Sequence, residues 1–318
     1  MKLLITGGCG FIGSNIAKYL LEHTNYLYIQ ILDNLSTGKL KNIEKLLEKY
    51  PERIDYMYGD ITNLDTCRKA VQKVDSVCHQ AALGSVPKSL DEPLLYHNSN
   101  VNGFLNILIA CKENNIKRVV YASSSSVYGD NQTLPKIENK IGEVLSPYAA
   151  TKMIDEIYSK LFTKCYNMEI IGLRYFNVFG PNQDPNGAYA AVIPKFIDLM
   201  KSDKSPIING DGNFTRDFIY VENVVKANLL ALNTENNNCY GEVFNIGCSE
   251  KCSILDLVNN INILMEKNII PKFMNNTEGD IPHSIADISK AKKLLGYKPN
   301  IFFKEGLKKT IKYFLENL

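Results

Sequence analysis

The chain has 318 residues, 45% of them hydrophobic, and a formal net charge of +2. That length is long for one α/β layer and suits two lobes with a large core. The balanced charge points away from nucleic acid and acidic membrane surfaces as partners, and no apolar run approaches the roughly 20 residues of a membrane-spanning helix.

The first apolar run, Leu3-Leu4-Ile5, has strand character and stops at a glycine loop, so no secretory leader is expected. The loop reads Gly7-Gly8-Cys9-Gly10-Phe11-Ile12-Gly13-Ser14, and Ile16, Ala17, Leu20 and Leu21 follow at helical spacing. Strand, glycine loop and helix in this order form a dinucleotide-binding fingerprint. Gly7 permits the tight turn, Gly10 lets backbone approach a pyrophosphate, and Gly13 lets the helix pack close to the sheet. The helix N-terminus would turn its free N–H groups toward the anion, which makes Gly7, Gly10, Phe11, Ile12 and Gly13 candidate cofactor contacts.

A second strand, Tyr28–Leu32, ends at Asp33, twenty residues beyond Gly13. A carboxylate there accepts hydrogen bonds from both ribose hydroxyls and repels a 2′-phosphate, which favours NAD over NADP. Lys39–Lys49 reads as a solvated helix face. Ile54–Ile61 reads as a third strand, with Asp60 able to accept from an adenine amino group. A fourth, Ser76–Ala82, runs into small residues that let a cofactor lie against the backbone. His79 within it is expected to be a packed or hydrogen-bonded strand residue. Long helices are predicted over roughly Pro93–Asn114 and Pro147–Tyr166. Between them a fifth strand, Val119–Ser123, delivers the run Ser123–Ser126 to the carboxyl edge of the sheet, where ligands bind in doubly wound folds. Past Pro181 the sheet pattern breaks, and Asn209–Gly212 and Asn233–Asn238 read as a turn and a loop. The eight cysteines are scattered without a CxxC pair, and Cys248 and Cys252 lack partners at zinc spacing. No metal site is therefore expected, and free thiols fit a reducing, cytoplasmic compartment.

Tyr148 and Lys152, in Ser146-Pro147-Tyr148-Ala149-Ala150-Thr151-Lys152, are four residues apart. On a helix they share one face, a turn apart. An ammonium beside a phenol favours the phenolate, and a phenolate can take a proton from an alcohol near neutral pH. A serine hydroxyl held nearby can pass or stabilise that proton.

With Asp33-Asn34-Leu35-Ser36-Thr37-Gly38, Asp60-Ile61, His79-Gln80-Ala81-Ala82, the Tyr148/Lys152 pair, Arg174–Pro181 and Arg216–Val221, the chain resembles the extended short-chain dehydrogenase/reductase family nearly end to end. Within it, Ala82–Pro87, Gln183–Pro194 and Glu278–Ser284 are similar to nucleotide-sugar 4-epimerases, specifically those acting on UDP-N-acetylglucosamine. The resemblance implies an α/β architecture: a Rossmann-type doubly wound parallel sheet with a smaller C-terminal α/β substrate-binding domain. Residues 1–176 would bind NAD, with a return of the chain within about 213–248, and residues 177–318 would mainly bind a UDP-sugar. It adds Asn34, Ser36, Gly38, Asp60, Ile61, Gln80, Ala81 and Ala82 to the cofactor contacts, with Tyr148 and Lys152. Ser124, Tyr148 and Lys152 become the catalytic set. Tyr148 would take the proton of the sugar 4-hydroxyl while C4 gives its hydride to tightly held NAD. The 4-keto sugar would turn over and be reduced on its other face.

The same resemblance makes Gly84, Ser85, Ser124, Ser125, Ser126, Tyr148, Asn177, Gln183, Ala191, Val192, Asn209, Arg216, Asp280 and Ser284 candidate substrate contacts. An arginine fork at Arg216 suits diphosphate oxygens, and Ala191 and Val192 suit a flat uracil ring. Family dehydratases carry Asp-Glu directly after the catalytic Ser/Thr. Ser125 and Ser126 stand there instead, which argues against elimination of water. Ser284 stands where epimerases limited to non-acetylated sugars have tyrosine, leaving room for an N-acetyl group. Thr277 stands where the family usually has a diphosphate-binding arginine; weaker binding, or a replacement cation such as Lys272, is expected. A homodimer through the two long helices is implied. A UDP-N-acetyluronate 4-epimerase, a UDP-glucose 4-epimerase or decarboxylase, and a non-catalytic NAD-binding scaffold remain as alternatives. Fold alone does not separate them.

Overall fold

The computed structural model describes residues 1–186, 191–275 and 281–317. The first half alternates strand and helix: β1 (Lys2–Thr6), α1 (Phe11–His23), β2 (Tyr28–Asp33), α2 (Glu44–Lys49), β3 (Ile54–Tyr58), α3 (Leu64–Val71) and β4 (Ser76–His79). Then come α4 (Val86–Asp91), α5 (Pro93–Tyr96), α6 (Gly103–Glu113), β5 (Arg118–Ser124), α7 (Pro147–Tyr166) and β6 (Glu169–Tyr175). The second half holds β7 (Asn177–Phe179), α8 (Val192–Lys201), β8 (Ile207–Asn209), β9 (Thr215–Arg216), β10 (Phe218–Tyr220) and α9 (Val221–Asn233). It ends with β11 (Val243–Ile246), β12 (Cys252–Ser253), α10 (Ile254–Met265), β13 (Lys272–Met274), α11 (Ser289–Leu294) and α12 (Phe303–Asn317).

Seven strands form one sheet in the order β11-β6-β5-β4-β1-β2-β3. Every pairing in it is parallel. Parallel strands are covered on both faces, so they read as continuous apolar runs rather than alternating ones. Leu3, Leu4 and Ile5 of β1 and Val119, Val120 and Tyr121 of β5 are fully buried accordingly. The strand order reverses between β1 and β4, and a crevice opens at their carboxyl ends.

Two apolar layers flank this sheet. One packs α1, α9 and the α11 segment, through Ile16, Leu20, Val224, Ala227, Ala291 and Tyr297. The other packs α3 and α6, through Cys67, Val71, Phe104 and Leu108. A third cluster, with Phe179, Phe196, Phe218, Leu257 and Phe314, gathers β7, α8, β10, α10 and α12. Paired short strands edge it: β10 with β7, β12 with β9, and β13 with β8.

The predicted helix over Pro93–Asn114 is interrupted. Residues His97–Asn102 form a π turn between α5 and α6. Nothing in the residue pattern marks this turn; the buried Asn100 explains its use. Asn100 Oδ1 accepts from Leu83 N (2.8 Å), and its Nδ2 donates to Leu83 O (3.1 Å) and Thr151 Oγ1 (3.0 Å). One widened turn thus fastens the chain beyond β4 to α7. Among the described residues no helix is long and apolar enough to cross a membrane, and no cluster of His, Cys, Asp or Glu could hold a metal ion.

Candidate active site

The cleft at the switch point has a volume of about 360 Å³. Its floor is the glycine loop. Gly7 has φ +67°, and a Cβ there would stand 2.6 Å from Ala81 N; a Cβ on Gly13 would stand 2.3 Å from Gly7 O. Both positions require glycine because neighbouring backbone occupies the space. The N-cap of α1 is Gly10, with no side-chain cap and no acidic residue in the first turn. The first N–H groups of a thirteen-residue helix therefore face the cleft, where Gly10, Phe11, Ile12 and Gly13 all line it. That end of a helix favours an anion.

Asp33 closes the far end. Its carboxylate accepts from Cys9 N (2.9 Å) and Leu35 N (2.8 Å). Burial pushes its pKa up, and the two backbone N–H groups oppose that shift. Asn34, Ser36 and Ile61 also line this end. Gly38 lies behind Asp33, its position for a Cβ only 3.0 Å from Asp33 Oδ2. Asp60 does not line the cleft wall; it accepts from Asn34 Nδ2 (2.8 Å) and Thr62 N (2.8 Å). The wall beyond β4 is Gln80, Ala81, Ala82 and Gly84, and a Cβ on Gly84 would meet nothing within 4 Å. An uncapped helix end, a carboxylate at the ribose position and a wall of small residues fit NAD.

His79 is buried, its Nδ1 2.8 Å from Thr6 Oγ1. Burial, and then the Lys152 ammonium, push its pKa down to about 3, so it stays neutral. Gln80 is held by two residues that sequence reasoning missed. Tyr175 donates to Gln80 Oε1 (3.2 Å), Gln80 Nε2 donates to Asn228 Oδ1 (3.1 Å), and Asn228 Nδ2 donates to Tyr175 Oη (2.8 Å). Tyr175 lines the cleft from the end of β6, inside a segment that had carried the family resemblance.

Tyr148 and Lys152 enter the cleft from the first turns of α7. The sequence dictates that start: Ser146 caps the helix by accepting from Ala149 N (3.1 Å), and Pro147 takes the first position, where its missing N–H costs nothing. Tyr148 is fixed from behind by its N–H to Ser89 Oγ (3.1 Å) and by an edge-on contact with Tyr96, centroids 6.5 Å apart. Lys152 is 2% exposed, and its Nζ stands 3.3 Å from Asp155 Oδ2. Asp155 was also missed, although its i+3 spacing from Lys152 places it on the same helix face. At the end of β5, Ser123 Oγ donates to Glu156 Oε1 (2.6 Å), which with Oε2 also receives two bonds from Arg174 (both 2.8 Å). Ser124 Oγ accepts from Ser126 N (3.1 Å) and lies in the cleft with Tyr148 and Lys152.

A second cleft, about 630 Å³, adjoins the first and shares Phe176 and Val178 with it. Asn177, Ala191, Val192, Asn209 and Arg216 line it. Arg216 Nη1 donates to Thr215 O (3.0 Å) and Pro282 O (3.2 Å), which orients the guanidinium. Several other candidates, Ser85, Ser125, Ser126, Gln183 and Ser284, line neither cleft. Ser85 caps α4, accepting from Lys88 N. Ser125 is half-buried, and Ser126 Oγ is buried with no hydrogen-bond partner among the described residues. Gln183 Nε2 donates to Val178 O (3.3 Å), while its Oε1 is likewise buried without a partner. Ser284 is half-buried, its N–H donating to Thr215 O (3.1 Å). Asp280 and Thr277 lie outside the described residues.

Residues 3–247 match the model of the NAD dependent epimerase/dehydratase family. The chain belongs to this family. NAD is the cofactor of this epimerase/dehydratase, and the fold is that of nucleotide-sugar 4-epimerases. A putative UDP-glucose 4-epimerase of Methanocaldococcus jannaschii is 41% identical over 317 residues, 99% of each chain. UDP-N-acetylglucosamine 4-epimerase from Methanobrevibacter ruminantium M1, solved with UDP-N-acetylmuramic acid, superposes with a TM-score of 0.92 at 41% identity, covering 100% of this chain and 99% of that one. UDP-glucuronic acid 4-epimerase from Bacillus cereus, solved with UDP-glucuronic acid and NAD, superposes with a TM-score of 0.91 at 33% identity over 100% of both chains. The relatives of this epimerase/dehydratase thus share its architecture and differ in the sugar their names record.

Proposed function

We propose that the protein interconverts UDP-N-acetylglucosamine and UDP-N-acetylgalactosamine by 4-epimerisation, as a cytoplasmic homodimer supplying polysaccharide biosynthesis. The observation that carries this reading is the meeting of Ser124, Tyr148 and Lys152 with the glycine loop and Asp33 in one cleft, continuous with a second cleft that holds Asn177 and Arg216. Tyr148 removes the proton from the 4-hydroxyl oxygen and returns it at the end of the cycle. Ser124 donates a hydrogen bond to the same oxygen. The Lys152 ammonium, on the same face of α7, would favour the phenolate form of Tyr148 and would hold the nicotinamide ribose. NAD supplies the acceptor for the C4 hydride and gives it back, so no external oxidant is consumed. The sugar, left as a 4-ketone, turns over between the two transfers, and the second cleft gives it space. Ser125 and Ser126 offer no carboxyl group for elimination of water, which favours epimerisation over dehydration. Ser284 leaves space for an N-acetyl group.

The test is proton NMR of UDP-N-acetylglucosamine with purified protein and no added NAD. New galacto H4 and anomeric signals support the reading together with bound NAD. Turnover only of UDP-glucose or a UDP-N-acetyluronate, with or without added NAD, keeps the chemistry and overturns the sugar. Tyr148→Phe is expected to lose turnover at least about a hundredfold while retaining NAD, since general bases contribute that much; undiminished turnover overturns the assigned base.

A further inference from the structure

One buried acid, a turn beyond Lys152 on α7, has no part in the chemistry so far described. Tyr148, Lys152, Asp155 and Ser159 fall at i, i+4, i+7 and i+11 on α7, a single stripe running from the cleft into the protein. Lys152 is 2% exposed and Asp155 1% exposed, with Nζ–Oδ2 at 3.3 Å. Asp155 Oδ1 is buried with no hydrogen-bond partner among the described residues. A carboxylate with one oxygen on an ammonium and the other on nothing is an expensive group to bury, and a purely structural role would be met by a neutral side chain.

We propose that Asp155 is a positioning residue, resting on the assignment of Tyr148 as base: its carboxylate draws the Lys152 ammonium down behind the cleft, and protonation of that carboxylate frees the ammonium to act on Tyr148. The ammonium then answers to two anions. With Asp155 ionised, part of the ammonium's field is neutralised by the carboxylate. With Asp155 protonated, the whole of that charge acts toward the cleft. Asp155 and the proposed base are thereby coupled through Lys152.

The surroundings sustain this coupling. Glu156, the neighbouring acid, is already neutralised by the Arg174 fork. From β5, Tyr121 places a buried phenol beside Ser159 and in the field of both acids. From β4, neutral His79 lies in the field of Lys152. From α4, α5 and the π turn, α7 meets Ser89, Tyr96 and Asn100, of which Tyr96 alone titrates. No second cation among these groups faces Asp155. Burial raises the Asp155 carboxyl to about 7, with Lys152 opposing the rise and Glu156 adding to it. Its protonation thus falls near neutral pH.

The test is the pH dependence of kcat for holoenzyme and for Asp155→Asn, which keeps shape and an oxygen for the ammonium but removes the charge. The acid limb is expected to move down by about half a pH unit, giving about threefold more of its own plateau rate there. NAD content and thermal midpoint are read on the same samples. Superimposed profiles overturn the proposal, even if the variant is less stable, because a structural role moves the midpoint and not the limb. A second measurement needs no variant at position 155. The phenolate absorbance of NAD-loaded wild type, with Tyr148→Phe subtracted, should titrate more gradually than a single independent proton, since interacting sites share their steps. A one-proton curve overturns the coupling. This titration does not require turnover, so it separates failure of the inference from failure of the epimerase reading.

Discussion

At the scale of single residues, burial decides what each ionisable group can do. His79 remains neutral in the folded protein down to about pH 3, whereas an unfolded histidine takes a proton near 6.5. Between those values the unfolded chain binds more protons, so acidification favours unfolding by about 1.4 kcal/mol per pH unit for this group. Asp155 and Asp217, buried carboxyls raised to about 7 and about 6, act in the opposite sense and gain stability as pH falls toward 4. The His79 contribution is therefore isolated within each protein. Between pH 7 and pH 5, His79→Gln is expected to lose about 2 kcal/mol less unfolding free energy than wild type, measured by urea denaturation. Thr277 is the other residue with a distinct expectation. Thr277 lies outside the described residues, and the expectation rests on the resemblance, which implies a diphosphate-binding arginine at this position where this chain has an uncharged hydroxyl. Thr277→Arg should lower KM for the UDP-sugar severalfold with little change in kcat, because a fork of donors gains the same in ground and transition states. An unchanged KM would show that a cation elsewhere already does this work.

At the scale of elements, α7 carries both the proposed base, Tyr148, and the buried groups behind it. Its start is written locally: the Ser146 cap, Pro147 in the first position, and Tyr148 immediately after. Ser146→Ala should cost about 1 kcal/mol, seen as a lower urea midpoint with an unchanged slope. Its inward face is a buried polar column, with Lys152, Asp155, Glu156 and Ser159 all under 10% exposed. The Glu156–Arg174 pair ties that column to β6 and to Ser123 of β5, so helix and sheet edge hold the cleft in register. The π turn performs the same task from the other side, through Asn100 on Leu83 and Thr151.

At the scale of the whole molecule, α4, α5 and α7 expose several large apolar side chains. Leu94 on α5 is 71% exposed, Ile157 and Leu161 on α7 are 53% and 48% exposed, and Leu90 of α4 and Leu95 of α5 are exposed as well. Exposed apolar side chains gathered on paired helices mark an association surface. Under the proposed homodimer, a second copy covers them. Wild type should run at twice the 35.8 kDa chain mass in light scattering at micromolar concentration, and Ile157→Asp combined with Leu161→Asp should run as a monomer. A monomeric wild type would sink the dimer.

The residue pattern by itself determined the dinucleotide-binding half. The glycine loop, Asp33 and the Tyr148/Lys152 spacing are local: each acts within one strand–turn–helix unit or one helix turn, and local geometry follows from nearby residues. Five strands were legible for the same reason, as short apolar-rich runs between turn formers. What only the tertiary structure decided depends on partners far apart in the chain. The sixth and seventh strands of the sheet, β6 and β11, are separated by the whole of β7–α9, and their pairing leaves no local mark. Tyr175 meets Gln80 across 95 positions. The exposure of Ile157 and the burial of Asp155, two positions apart on one helix, follow from what packs against each side. Helical spacing alone could place Asp155 beneath Lys152. Only the packed tertiary structure buried it there, and burial is what raises that carboxyl to about 7.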